Sequence, residues 1–269
     1  LVGLYQHLKL NILLQKRLKK QLVVMSNKII EKLKDDSHYY GVVGKQYLSS
    51  SDITTLLYEP ENFKQEKKSP EILMGRYFHQ IILEPNKPLT IPVFDSSSRA
   101  TKKFKDYILE TNQDKHDVLL QVEKDLMLEC RDKLFSVLEI SELITDSNNK
   151  FEVPSLTKLY GNIWKSKCDI LHEDFVIDLK TTGNGKNFRS SGYSFCYNSQ
   201  AFIYQLQYKK PMIFIAIDKK TLNIYKCPCS EKFISDGEKN VIEATQIYEK
   251  YYGKNKTHDV SQHIQEILL

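Results

Sequence analysis

The stretch Lys167-Cys168-Asp169-Ile170-Leu171-His172-Glu173-Asp174-Phe175-Val176-Ile177-Asp178-Leu179-Lys180 decides the fold. Two apolar runs flank a polar turn, the pattern of a β-hairpin. With the turn centred between Glu173 and Asp174, Leu171 lies opposite Val176 and Asp169 opposite Asp178. Side chains alternate faces along a strand, so Asp178 and Lys180 then share a face with Asp169. Directly opposed residues sit about 4.5–5.5 Å apart. Two carboxylates so placed repel, and a divalent cation between them reverses the sign of that interaction. Hard oxygen ligands suit Mg²⁺ or Mn²⁺. Lys180 reaches the same pocket, to orient or deprotonate a water. A metal-bound water, an ammonium and paired carboxylates are what phosphodiester hydrolysis needs. Asp-x-Lys on a strand edge is also common as a merely solvated pair, and a one-residue slip sends Asp169 to the other face.

Around the hairpin, strands are expected over 158–164, 165–171 and 174–180, then a helix over 198–209. A second hairpin, Ile213 to Asp218 and Leu222 to Cys227, turns near Lys219-Lys220, and a final helix covers 230–251. Upstream, Ser50-Ser51-Asp52 caps a short helix carrying Ile53, Leu56 and Leu57. Ser69-Pro70-Glu71 starts a helix that runs through Met74, Phe78, Ile81 and Ile82 and stops before Pro85. Residues 86–98 read as loop. Residues 100–112 and 118–144 read as helices, the second with Val122, Leu126, Cys130, Leu134, Val137 and Ile140 at helical spacing. This order predicts an α/β (α+β) fold, a mixed sheet flanked by helices with a helical N-terminal layer.

Two helices offer side chains to the hairpin. Gly75 and His79 lie one turn apart, so a close backbone approach leaves His79 as a metal ligand and Arg76 free to hold a phosphate. A lone helical histidine is otherwise a packing residue. Gln200 and Tyr204 are also i,i+4, placed to position water and a phosphate; their plainer role is a solvated face with Tyr204 half buried.

Length and composition exclude several classes. The chain has 269 residues, 41% of them apolar and 27% charged. It is not a disordered tail or a fibre. No apolar run approaches the roughly 18 residues of a membrane-spanning helix, so no membrane partner is expected. Five scattered cysteines read as reduced thiols of a cytoplasmic protein, not as a disulfide framework. The net charge of +5 sits in residues 1–30, whose six basic residues face no acid; residues 31–269 hold 33 basic against 34 acidic residues. A nucleic-acid surface on the body is therefore a local patch, with Arg99, Lys102, Lys103, Lys165, Lys167, Lys186 and Arg189 as candidates. Residues 1–24 form a basic leader. The favoured expectation places the native start at Met25, ahead of a basic amphipathic helix or a transit peptide. Residues 25–269 are then one domain.

Together these segments resemble the PD-(D/E)XK nuclease superfamily, and most closely the RecE (exonuclease VIII) type of phage recombination exonuclease, related to the RecB nuclease domain. The pieces are Ser49-Ser50-Ser51-Asp52, Met74-Gly75-Arg76-Tyr77-Phe78-His79 with Leu83-Glu84-Pro85, Glu152-Val153-Pro154-Ser155, Lys167-Cys168-Asp169-Ile170, Val176-Ile177-Asp178-Leu179-Lys180-Thr181-Thr182, and Gln200-Ala201-Phe202-Ile203-Tyr204. The similarity spans roughly 46–250.

The resemblance implies a restriction-endonuclease-like core. It implies that Asp169 and Asp178 bind metal, as two Mg²⁺ or Mn²⁺ ions, with the Leu179 carbonyl and His79 completing the sites. Lys180 would be the catalytic lysine, and Gln200 and Tyr204 would place water and backbone. Arg76, and less directly Ser50 and Arg99, would take a 5′-phosphate; Glu152 stands at the position of a first-strand acid with its role open. The implied partners are double-stranded DNA ends, a single-strand annealing recombinase and further copies in a ring, in a bacterial or phage-infected cytoplasm. An RecB-like repair endonuclease and a non-catalytic DNA-end-binding protein are the alternatives. The chain departs from the family at Lys167-Cys168, where many relatives have an Arg-Pro-like lead-in. Its cysteines do not match the iron–sulfur nucleases of the superfamily.

Overall fold

The computed structural model describes residues 27–264, so the basic leader 1–24 lies outside the described residues. Three short helices, α1 (Asn27–Lys32), α2 (Asp36–Tyr39) and α3 (Val42–Lys45), precede a two-residue strand β1 (Leu48–Ser49) and helix α4 (Ser50–Tyr58). Then follow α5 (Pro70–Leu83), β2 (Val93–Phe94), α6 (Lys102–Thr111), β3 (Leu119–Leu120), α7 (Gln121–Ser136) and α8 (Leu138–Thr145). The second half contains β4 (Lys150–Leu159), β5 (Asn162–Leu171), β6 (Val176–Thr182), α9 (Phe188–Ser194), α10 (Tyr197–Tyr208), β7 (Met212–Asp218), β8 (Ile224–Pro228) and α11 (Glu231–Tyr251).

Local chemistry fixes the helix starts. The N-cap of α4 is Ser49, whose N–H donates to Asp52 Oδ2 at 2.7 Å. Ser69 Oγ accepts from the Ile72 N–H at 3.3 Å, with Pro70 in the first turn of α5.

The main sheet is mixed. β5 pairs antiparallel with β4 along one edge, and on the other edge parallel with β1 and antiparallel with β6. β6 and β7 are parallel, and β8 closes the sheet antiparallel to β7. Alternation on β7 divides the core: Met212, Phe214 and Ala216 face α4, α10 and α11, while Ile213, Ile215 and Ile217 face α5, α7 and α8. The architecture is the expected mixed sheet between helical layers. A smaller apolar group of Leu33, Tyr39, Tyr47 and Leu156 docks the N-terminal helices.

Three boundaries differ from the sequence reading. The first hairpin turns at Tyr160-Gly161 (φ +48° and +89°), not at 164/165, so Trp164 is fully buried inside β5. Gly161 is the only glycine between Gly75 and Gly183, and it supplies the positive φ a two-residue hairpin turn needs. The expected loop 86–98 contains β2, which pairs parallel with β3 in a second, two-stranded sheet. The expected helix 118–144 therefore starts only at Gln121, and extended Val137 (φ −98°, ψ 110°) splits it. Val122 is 52% exposed, and Met127 enters the core instead.

One contact positions the site helix α10. A Cβ on Gly237 of α11 would lie 2.1 Å from the Asn198 carbonyl oxygen and 2.8 Å from the Ser199 nitrogen. Backbone cannot yield as a flexible side chain does. Gly237→Ala is therefore expected to destabilise the protein by about 1–3 kcal/mol, despite the better helix propensity of alanine. Urea unfolding checks this; an unchanged midpoint would show that the two helices slide apart freely.

Candidate active site

The β5–β6 ladder carries two pairs, Leu171 with Val176 and Ile170 with Ile177, the register expected from the sequence. Asp169 and Asp178 come next, where the pairing ends. The Asp169 carboxylate fills the break, its Oδ2 accepting from the Leu179 N–H at 2.7 Å.

On the β4 side the ladder is also interrupted at Asp169, opposite Glu152. Glu152 has a left-handed φ of +50°, costly for a residue with a Cβ. Cys168 and Ile170, two apart on one strand, consequently pack into opposite apolar layers. Strict alternation through Asp169 therefore does not hold. At this kink the Tyr208 hydroxyl accepts from the Cys168 N–H (3.2 Å) and donates to the Val153 carbonyl (2.6 Å).

Helix α5 delivers His79. Its Nδ1 lies 2.9 Å from the Gly75 carbonyl, and its Nε2 lies 2.9 Å from the Leu179 carbonyl and 3.0 Å from Asp169 Oδ2. A carbonyl only accepts, so both ring nitrogens carry a proton and His79 is an imidazolium. Burial works against that charge, but the Asp169 carboxylate prevails and raises His79 to about 9. Asp169 shifts the opposite way: burial opposes its charge, and His79 holds it below the usual carboxylate range.

Helix α10 approaches the other acid. Gln200 Nε2 donates to Asp178 Oδ1, and Lys180 Nζ lies 2.6 Å from Asp178 Oδ2. Burial, then the Asp169 charge, push Asp178 up to about 6. Burial disfavours the Lys180 ammonium, yet Asp178 keeps it charged and its pKa raised. That ammonium lies 4.9 Å from the Tyr197 ring centre and 5.9 Å from that of Phe214. Burial, reinforced by Asp169, raises Glu152 to about 7; its carboxylate lies 3.5 Å from Lys167 Nζ.

These shifts fix a sign. His79 and Asp178 both have raised values, so each favours the fold at low pH. The His79 contribution is complete below its ordinary 6.5 and lost as pH rises through about 9. The contribution of neutral Asp178 is complete below 3.8 and lost through about 6. Asp169, lowered, acts oppositely and only at acid pH. Relative to Asp178→Asn, the metal-free protein is expected to lose thermal stability between about pH 4 and 6. Parallel melting profiles of the two proteins over that window would contradict the placement of Asp178.

The structure thus brings together Asp169, Asp178, Leu179, Lys180, His79 and Gln200, with Glu152 alongside. Arg76 is exposed on α5, three residues before His79, and Ser50 is half-buried at the start of α4. Other expectations give way. Arg99 is engaged elsewhere: its guanidinium donates to Glu123 Oε2 at 2.8 Å and to the Val118 carbonyl at 2.9 Å. Tyr204 is buried, and its hydroxyl donates to the Lys167 carbonyl at 3.1 Å. With Gln207, which donates to the Trp164 carbonyl at 3.0 Å, it satisfies the edge of β5 between β1 and β6. Lys165 and Lys167 are buried under the N-terminal helices and line no channel. Lys165 donates to the Tyr39 carbonyl, and Lys167 pairs with Asp36. Burial lowers Lys165 to about 8. Lys102, Lys103, Lys186 and Arg189 are exposed. The sequence reading missed Tyr208 and Tyr197, for which only the aromatic spacing of α10 gave a signal. Cys130, Cys168 and Cys196 are free and buried.

Among the described residues no three His, Cys, Asp or Glu side chains already converge as a metal cage. The donor set still fits a hard dication: two carboxylates, the Leu179 carbonyl, and a displaceable imidazolium as counter-ion. No helix of the described residues is long and apolar enough to cross a membrane.

The profile of a PDDEXK-like domain of unknown function (DUF3799) matches residues 47–267. No curated protein shows significant similarity to the chain. Among solved structures, a protein from Eubacterium rectale assigned as an exonuclease superposes with a TM-score of 0.56 at 16% identity, over 80% of this chain and 85% of that one. This likeness speaks for the fold. SSO0001 aligns with a TM-score of 0.34 at 15% identity, covering 80% and 84% of the two chains. A phage-related exonuclease from Haemophilus somnus 129PT aligns with a TM-score of 0.32 at 10% identity, covering 76% and 94%. Neither of these two carries an argument.

Proposed function

Because the chain belongs to the PDDEXK-like domain family DUF3799, we propose that it is a metal-dependent deoxyribonuclease. Its substrate is linear double-stranded DNA, hydrolysed 5′→3′ from the ends in phage-type recombination, beside a single-strand annealing recombinase. The observation that carries this reading is the group at the end of the β5–β6 ladder: Asp169 and Asp178 with Lys180 and Gln200 on the second acid. A fold gains little from burying Asp178, whose ionisation it resists, beside the ionised Asp169, so chemistry accounts for the pair better than stability does.

Asp169, Asp178 and the Leu179 carbonyl are the residues that would hold Mg²⁺ or Mn²⁺, one ion or two. When bound, the cation polarises the phosphate and lowers the pKa of water. Gln200 fixes the orientation of Asp178 through Oδ1. Lys180 acts as a cation: its ammonium orients the attacking water and offsets charge developing on the phosphate oxygens. The Tyr197 and Phe214 rings exclude water from its flank. With a cation bound, His79 would give its Nε2 proton to solvent, freeing that nitrogen as a ligand. Arg76 and Ser50 take the terminal phosphate.

The test is a gel assay on 5′-phosphorylated linear duplex and covalently closed circle, with and without Mg²⁺. Loss of linear DNA alone, requiring Mg²⁺, is expected. A cut circle would replace the exonuclease with an endonuclease of RecB-like repair type. Binding of ends with no cleavage in any metal would leave a non-catalytic end-binding protein.

A further inference from the structure

The chain has a cavity of about 420 Å³ beside Lys180 that the reaction above does not use. Five aromatic rings line it, among them Tyr193, Tyr197, Phe214 and Phe233, together with Cys229 and the exposed Arg189. Tyr193 and Phe233 meet nearly edge to face, with centroids 5.2 Å apart at 80°. Tyr197 and Phe214 lie closer to parallel, 5.6 Å apart at 30°. No acid lines the cavity. Tyr197 and Phe214 are the same rings that flank the Lys180 ammonium. The cavity and the phosphodiester site therefore share a wall.

A ligand for this space is flat, apolar on its faces, and attached to an anion that Arg189 meets at the surface. We propose that the cavity receives one nucleobase of the strand being cut, unstacked from its neighbours and lying next to the scissile phosphate. The proposal rests on the nuclease reading above and adds to it the recognition of an unpaired base. Stacking on aromatic rings tolerates any base, which suits an enzyme that digests without regard to sequence. Reaching the cavity requires the nucleotide to leave its pair, and a terminal pair opens at the lowest cost. The cavity thereby favours DNA ends over duplex interior.

The experiment uses 5′-phosphorylated linear duplexes with a single abasic nucleotide at each of the first positions from the end. Each is compared with intact duplex by equilibrium binding in Ca²⁺ and by single-turnover cleavage in Mg²⁺, for the full chain and for Tyr193→Ala and Tyr193→Phe. One abasic position is expected to weaken binding by at least about fivefold. Tyr193→Phe keeps that discrimination and Tyr193→Ala loses it; Phe233→Leu replaces Tyr193→Ala if the latter does not fold. Equal binding of every abasic duplex and the intact one, or full discrimination by Tyr193→Ala, would overturn the proposal. Absence of cleavage by the unaltered chain in any metal would sink the nuclease reading alone, and the binding comparison still decides the cavity.

Discussion

Asp178→Asn lowers metal-dependent cleavage of linear duplex by at least about 10³-fold while the protein stays folded. Asparagine keeps the shape of the side chain, and its Oδ1 still accepts the Gln200 Nε2 donor. What disappears is the negative charge that opposes a cation. The fold does not depend on that charge, since burial raises Asp178 to about 6, so ionising it costs the folded protein stability. Mg²⁺ or Mn²⁺ is expected to raise the melting temperature of the unaltered protein, and that increase is expected to vanish with the activity. A variant cutting at more than a tenth of the normal rate would remove Asp178 from the site.

Lys180→Met separates chemistry from metal binding. The ammonium is held 2.6 Å from Asp178 and against two aromatic rings, so its stem is packed and its charge has a fixed direction. Methionine retains the packing and removes the charge. The cleavage rate is expected to fall about 10²- to 10⁴-fold. Stabilisation by Mg²⁺ persists, in contrast to Asp178→Asn. Lys180→Arg does not rescue, because a planar guanidinium does not fit where a compact ammonium lies. A single-turnover rate within threefold of normal for Lys180→Met would assign the charge role to another residue.

The sequence makes some of this arrangement legible. The register of Leu171 on Val176 follows from two apolar runs around Glu173-Asp174, because hairpin pairing is local. Gly161 marks its turn equally well, but the polar run Lys165-Ser166-Lys167 reads like a turn although it lies buried inside β5, and that obscured it. His79 on the Leu179 carbonyl joins residues 100 apart in the chain, and spacing cannot predict such a contact. The resemblance to a nuclease family suggested it instead. Lysines carry even less information. Lys165 and Lys167 read as candidates for an exposed nucleic-acid patch, yet the N-terminal helices cover both, and tertiary packing alone decides that. Arg99 is similar: it lies in the turn before α6, and its partner Glu123 is on α7, 24 residues on. The left-handed Glu152 leaves no trace in the sequence, since nothing in Phe151-Glu152-Val153 demands a positive φ.

The break in the ladder at Asp169 bears on how such a chain can change over generations. The pairs that hold β5 to β6, and the hydroxyls and amide that α10 lends to the β5 edge, involve neither catalytic carboxylate as a ladder member. Selection for a stable chain therefore bears on Trp164, Gly161 and Gly237, while on the proposed reading only selection for cleavage preserves Asp178 and Lys180. A lineage relieved of the second demand would shed Asp178 and Lys180 first and keep its shape, whereas Asp169 also holds the Leu179 N–H and offsets His79. Descendants of this architecture that no longer cleave are thus a short mutational step away, and the reverse step, restoring one acid and a lysine to an intact frame, is nearly as short.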